Sequence, residues 1–195
     1  SLIYKLVFCF LCLPLVFSAQ YSIKDIDYLM TTKNAQLRSE HKFEEIVSIS
    51  EKVIESYKAI QYKKGEIYGY TRLGNALCNL RRYKESLVAL NLANQLSEHY
   101  NQGDNLIRAS IHLGLGRCYL ESRASYQNAI VQFEMARNFA DNITDESEKK
   151  EQLILIYSNF YAVNMQLENF HKAAFFLRKS LILDEANAYS LAGLA

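Results

Sequence analysis

The residue types best suited to chemistry in this 195-residue chain are four histidines, four cysteines and one glycine-rich segment. Two imidazoles hold zinc when they lie at i, i+4 or in an HExxH pattern on a helix. Neither pattern occurs among His41, His99, His112 and His171. The segment LGLGRC at 113–118 resembles a phosphate loop, but no strand precedes it and the glycine fingerprint is incomplete. We therefore expect no metal, no nucleotide and no other cofactor.

The sequence also lacks the motifs of a nucleophilic catalytic centre. The G-x-S-x-G motif is absent, and no cysteine has a neighbouring histidine. Cys78 and Cys118, the two cysteines outside the apolar N-terminal run, are too few for a disulfide framework. We interpret them as small buried hydrophobic residues, with a single bridge in an oxidising compartment as the alternative. The sequence predicts that the protein is not an enzyme.

Regularly spaced amide and guanidinium groups remain as candidates for ligand binding. Arg72, Asn75 and Asn79 are separated by three and four residues, which places them on one face of a helix. Guanidinium groups bind carboxylates, and amides bind peptide backbone. The alternative is an ordinary solvated helical face. Lys and Arg total 22 against 21 Asp and Glu, and no basic stripe occurs, so nucleic acid is not expected as a ligand.

The elements that carry these residues are predicted to be helices. The chain contains 7 glycines and 1 proline, against about 14 and about 10 for average usage. Sandwiches and barrels need many tight turns and are excluded by this shortage. Alternating charges along the apolar-periodic segments are typical of solvated outer helix faces.

The first nineteen residues differ from the rest. An apolar run from Leu6 to Phe17 follows Lys5 and ends at Ser18 and Ala19. This order is typical of a secretory signal peptide, and the run is short for a membrane span of about 20 residues. We predict a signal peptide at 1–19, with an uncleaved membrane anchor or a buried helix as alternatives. Contact with a membrane is expected only here or through a segment beyond Ala195.

A pattern repeats about every forty residues. Each copy has an aromatic residue, then small or apolar residues at the three and four spacings of one helical stripe. The leading aromatics, Phe43, Tyr83, Tyr126 and Phe170, are separated by 40, 43 and 44 residues. A second apolar stripe precedes each one. The predicted unit is therefore a helical hairpin, with copies at about 25–60, 66–99, 105–141 and 150–184 and the start of a fifth at 188–195.

This pattern resembles the tetratricopeptide repeat. The resemblance rests on YTRLGNALCNLRRYKESLVALNLA from Tyr70, HLGLGRCYLESRASYQNAIVQFEMA from His112 and YSNFYAVNMQLENFHKAAFFLRKSLILDEAN from Tyr157. In the first copy, Lys33 and Asn34 replace the family's Leu-Gly pair. The resemblance implies an all-α, right-handed superhelical α-solenoid over 20–195. It also implies that packing is carried by Gly74, Tyr83, Gly116, Tyr126, Ala129, Phe133, Phe170 and Ala173. His112 takes a large packing position and is interpreted as core.

In this family the first helices of the hairpins line a concave groove. The resemblance therefore implies a protein- or peptide-binding surface on these helices. Counting from the packing positions, its predicted members are Tyr68, Thr71, Arg72, Asn75, Asn79, Arg117, Glu121, Asn159 and Gln166.

Two functions follow from these features. The first is an exported, periplasmic or membrane-anchored interaction module. It resembles the sensory part of Bacteroidetes-type regulators, in which repeats outside the inner membrane precede a transmembrane helix and a DNA-binding or kinase domain. The second is a freestanding periplasmic or outer-membrane assembly scaffold. A stack that ends without a polar capping helix favours a longer protein. The sequence following Ala195 discriminates between the two.

Overall fold

The computed structural model describes residues 23–100 and 104–184, and within these every regular element is a helix. The all-α fold class is confirmed, with neighbouring helices packed in pairs as in a helical repeat. The predicted signal peptide at 1–19 and the fifth hairpin at 188–195 lie outside the described residues. The helices are α1 Ile23–Tyr28, a π-helical turn Leu29–Lys33, α2 Asn34–Ser39, α3 Phe43–Ala59, α4 Lys63–Asn79, α5 Tyr83–His99, α6 Asn105–Glu121, α7 Tyr126–Ala140, α8 Glu146–Gln166 and α9 Phe170–Leu183.

The helices stack in chain order. The hairpins α4–α5, α6–α7 and α8–α9 pack internally, and α3 packs on α4. The first helices of successive hairpins also contact one another, α4 with α6 and α6 with α8. In the described part of the chain, no comparable contact joins α5 to α7. The first helices therefore lie on the inner side of the stack and the second helices on its outer side.

Five tight turns between the described helices are made without glycine at the left-handed position. Backbone φ is near +55 to +60° at a non-glycine residue in each of them, namely His41, Gln61, Arg81, Arg123 and Glu168. In the α4–α5 turn, the N–H groups of Arg81 and Arg82 donate to the carbonyls of Cys78 and Leu77, each at 2.9 Å. This is a Schellman-type ending, in which glycine is the usual left-handed residue. The chain therefore forms these turns despite its low glycine content. Each non-glycine residue with a positive φ costs about 1–2 kcal/mol.

Two helices begin before the predicted hairpin starts at 66 and 150. Helix α4 begins at Lys63 because Gly65 and Glu66 are buried in its first turn. A Cβ at Gly65 would lie 2.5 Å from Cδ1 of Tyr57, so the glycine permits close contact with α3. Helix α8 begins at Glu146 because the Asp145 side chain caps it, accepting from the N–H of Glu148 at 2.9 Å. Both helix starts therefore lie in the gaps that the predicted ranges 25–60, 66–99, 105–141 and 150–184 leave between hairpins.

Small residues allow close packing within the hairpins. A Cβ at Gly74 would lie 2.5 Å from Cγ of Leu90, and one at Gly116 would overlap the Phe133 ring. Ala129, Phe133 and Ala173 are buried. Tyr83 and Tyr126 are half-buried against the same cores. The predicted packing residue Phe170 differs, because it is 60% exposed at the start of the last described helix.

His112 lies in the core, as its repeat position indicates. It is buried, and its ring stacks on Phe139 with the ring centroids 5.5 Å apart. Nδ1 is hydrogen-bonded to Oε1 of Gln132 at 2.8 Å. Burial is the main cause that lowers its pKa. A neutral imidazole held in this way acts as a packing group.

Candidate binding groove

A cavity of about 450 Å³ opens on the inner side of the stack. Its walls come mainly from α2, α4, α6 and α8, which are the first helices of four successive hairpins. We call this cavity the groove. Its polar and charged lining residues are Asn34, Arg38, Tyr68, Thr71, Arg72, Asn75, Asn79, Ser110, Arg117, Glu148, Glu151, Gln152 and Asn159.

Seven of the nine predicted binding residues line this groove, and two do not. The seven are Tyr68, Thr71, Arg72, Asn75, Asn79, Arg117 and Asn159. Glu121 and Gln166 instead line a second cavity of about 460 Å³, together with Arg81 and Tyr83. Both are the last residues of their helices, so they lie near the hairpin turns. The sequence register identified the right helix face but could not indicate where along that face the groove ends.

Arg72 is incompletely hydrogen-bonded within the groove. Its Nε atom is buried and has no hydrogen-bond partner. Its Nη1 reaches Oδ1 of Asn34 at the long distance of 3.4 Å. Burial lowers the pKa of the guanidinium, and the nearby charge of Arg38 lowers it further. Two cations therefore face the same space, and an anionic ligand would offset both.

Arg117 is held in place by protein groups. Its Nη2 donates to Oδ1 of Asn79 at 3.0 Å, across the α4–α6 contact. Its Nε and Nη2 also donate to Oε1 of Glu121, at 3.2 and 3.1 Å. Glu121 therefore positions the guanidinium even though it lies at the edge of the second cavity. Gln166 in that cavity accepts a long hydrogen bond, 3.4 Å, from the hydroxyl of Tyr126.

Several amide and hydroxyl groups of the groove are hydrogen-bonded within their own helix. Nδ2 of Asn75 donates to Thr71 O, and that of Asn159 donates to Leu155 O. The Thr71 hydroxyl donates to Ile67 O at 2.7 Å, and its side chain is buried. Thr71 therefore contributes shape to the wall, while each amide presents its oxygen and one remaining N–H.

Tyr68 lines the groove and is held by a carboxylate. Its hydroxyl donates to Oδ2 of Asp104 at 2.6 Å, and Lys64 lies 3.7 Å from the same oxygen. Burial, followed by the bond to this carboxylate, raises the pKa of the phenol, so it stays neutral.

The wall formed by α8 carries the opposite charge. Glu148 and Glu151 face the groove, and Oε1 of Gln152 is buried without a hydrogen-bond partner. The groove is therefore basic along α2, α4 and α6 and acidic along α8. The sequence prediction missed these three residues because Glu148 falls between the predicted hairpins 105–141 and 150–184, and Glu151 and Gln152 lie at the start of the second. The signal that would have found them is Asp145 followed three residues later by Glu148, a helix-starting pattern.

The described residues contain neither a metal-binding cluster nor a membrane-spanning helix. Within 23–100 and 104–184, no group of three or more His, Cys, Asp or Glu side chains is arranged to hold a metal ion. No helix in the same ranges is both long and apolar enough to cross a bilayer.

Comparison with known proteins adds no relative: no protein-family model matches the chain, and no curated protein shows significant similarity to it. Assignment to a repeat family therefore depends on the repeat pattern itself.

Proposed function

We propose that this chain is an exported tetratricopeptide-type repeat module that binds a protein or peptide in the groove and has no catalytic centre. The proposal depends mainly on one observation, namely which helices contribute side chains to the groove. Four first helices, spaced by about one repeat each along the chain, contribute polar side chains to one cavity. Repeat stacks bind extended ligands in such a concave surface because successive units present equivalent positions in a row.

The charges of the groove favour a peptide that carries a carboxylate. Arg72 has an unpartnered buried Nε beside a second cation, Arg38. A carboxylate placed there would complete the hydrogen bonds of Arg72 and screen the repulsion. Charge-assisted bonds of this kind are worth roughly 1.5–3 kcal/mol each when shielded from water. Glu148 and Glu151 on the opposite wall would suit a basic or amide group on the same ligand.

We further propose that the module is the sensory or interaction part of a longer signalling or transcription-regulating protein. The support is the apolar run at 6–17 together with the long-period repeat pattern. A freestanding periplasmic or outer-membrane scaffold is the alternative. About 20 apolar residues and an effector domain encoded after Ala195 would select the regulator. A polar capping helix followed by a stop codon would select the scaffold.

The binding proposal is tested with a double variant, Arg72→Ala with Arg117→Ala. The matched control, Arg82→Ala with Arg137→Ala, removes the same two charges from the second-helix side of the stack. Those two arginines form solvent-accessible pairs with Glu85 and Glu134, both at 2.6 Å, the second of them partly buried. Partners captured from an envelope extract are quantified by mass spectrometry, and the main partner is then purified and titrated against each protein. We expect the groove variant to lose at least about tenfold in affinity, equal to 1.4 kcal/mol, while the control binds normally. Equal binding by both variants would place recognition outside the groove.

A further inference from the structure

Two thiols lie on the first helices of neighbouring repeats. Cys78 belongs to α4 and Cys118 to α6, and both are free and completely buried. They belong to one core cluster, which also contains Ile67, Leu90 and Ile111. They are forty residues apart in sequence, whereas the equivalent glycines Gly74 and Gly116 are 42 apart, so the two cysteines occupy different repeat positions. Both lie where α4 packs against α6.

Contacts on both sides of these cysteines fix the register of α4 against α6. Asn79 follows Cys78 and Arg117 precedes Cys118, and their side chains are joined by a hydrogen bond of 3.0 Å. One turn earlier, a Cβ at Gly114 would lie 2.6 Å from Oδ1 of Asn75. The missing side chain at Gly114 thus lets the two helices approach closely. A disulfide needs such an approach, with Cα atoms roughly 4.4–6.8 Å apart.

Cys118 also adjoins a hydrogen-bonded chain. The Ser86 hydroxyl donates to Gly74 O at 2.6 Å and lies 2.9 Å from Sγ of Cys118. Interaction between the two thiols is the main cause that shifts the pKa of both Cys78 and Cys118. The two thiols therefore titrate as a pair, and the first thiolate to form is the nucleophile that attacks an oxidant.

We infer that Cys78 and Cys118 form an oxidisable dithiol that closes to a disulfide between adjacent repeats. The oxidant is a small disulfide, RSSR. One thiolate of the pair attacks one of its sulfurs, forming a mixed disulfide and releasing RS⁻. The thiolate of the other cysteine then attacks the Sγ atom of the first, which forms the Sγ–Sγ bond and releases the second RS⁻. The protein loses two electrons and two protons, and the oxidant becomes two thiols. Because both cysteines are buried, the reaction requires local opening of the α4–α6 contact.

The bridge would lie beside the hydrogen bond between Asn79 and Arg117. It would therefore fix the separation of the two helices that carry most of the basic wall of the groove. This consequence is independent of what the groove binds. An oxidising compartment, such as the proposed periplasmic location, is where such a bond persists.

The test uses the purified 195-residue chain, incubated under native conditions with glutathione disulfide and then alkylated. Non-reducing trypsin digestion should yield residues 73–81 linked to residues 118–123, at the sum of the two masses less two hydrogen atoms. Peptide mapping separates this product from any that involves Cys9 or Cys12. We also expect the oxidised protein to melt at least about 5 °C above its reduced form.

Cys78→Ala provides the matched control, in which oxidised and reduced samples of the same variant are compared. We expect these samples to have equal melting temperatures and to show no linked peptide. Three results would overturn the inference: both thiols stay reduced in the native protein, glutathione remains attached to one cysteine without a cross-link, or the linkage forms only in denaturant.

Discussion

The ring of Phe133 occupies the space that a side chain at Gly116 would need. Gly116 lies on α6 and Phe133 on α7 of the same hairpin, and a Cβ added to the glycine would overlap Cε1 of the ring. Phe133 is fully buried and also contacts Phe160 of the next hairpin, with the ring centroids 5.6 Å apart. It therefore cannot move aside without disturbing two hairpins. This contact makes the glycine a sensitive probe of the repeat packing.

Gly116→Leu should destabilise the protein by more than about 2 kcal/mol, because it overpacks a crossing with no room for a side chain. The free energy of unfolding is measured by denaturant titration. Lys84→Leu on the exposed face of α5 is the control, with an expected change within about 0.5 kcal/mol. Similar stabilities for the two variants would mean that the register of this hairpin is wrong.

Gln61→Gly should stabilise the protein by about 1 kcal/mol, because Gln61 has a φ of 55°, which glycine adopts without strain. Gln95→Gly is the matched control, since Gln95 is an exposed residue within α5. There the same substitution should cost about 0.5–1 kcal/mol of helix stability. Thermal and urea melts of both variants give the two signs. A loss at position 61 would contradict the left-handed turn.

Arg72→Met should leave the free energy of unfolding unchanged or raise it by up to about 2 kcal/mol, because it removes a desolvated, underbonded cation beside Arg38. Methionine retains the apolar stem of the arginine. Arg137→Met, which breaks the solvent-accessible pair with Glu134, should lower stability by no more than about 1 kcal/mol. Urea titration compares the two. A large loss at position 72 would identify Arg72 as a structural residue, whereas a gain identifies a residue retained for binding.

The stability of the protein should fall in mild acid through His112. Burial lowers the pKa of this imidazole from its usual value of 6.5, so the unfolded chain takes up a proton first as the pH falls. The contribution of His112 is complete above about pH 6.5 and decreases below it, by up to about 1.4 kcal/mol per pH unit. His112→Phe retains the ring and should flatten this part of the pH profile. His171→Phe, at an exposed position, should not. Parallel profiles for all three proteins would exclude His112 as the cause.

Periodicity was enough to predict the all-α fold, because a spacing of three and four survives in every copy of the repeat. Helix starts were less predictable. Lys63, Glu146 and their neighbours are hydrophilic, yet they form first turns, because a cap at Asp145 and a small residue at Gly65 matter more than mean polarity.

The groove residues could be predicted only in part, because residue spacing describes one helix at a time. Spacing indicated which face of α4 and α6 looks inward, and this placed Arg72, Asn75 and Arg117 around one cavity. Spacing alone does not show which residues lie opposite. The acidic wall of α8 depends on how one hairpin leans against the next, and the Arg72–Asn34 contact spans 38 residues of sequence. Both arise from tertiary packing.

The contact pattern of the inner helices has a mechanical consequence. Helix α6 touches both α4 and α8, while within the described residues α4 and α8 share no comparable contact. The width of the groove is thus set by two interfaces in series, and small rotations at each one add up. A ligand that contacts both Arg72 and Glu151 would fix the distance between α4 and α8. Binding at this one place would then change the twist between the ends of the stack. Small rotations of this kind would transmit the effect of ligand binding along the stack without a hinge.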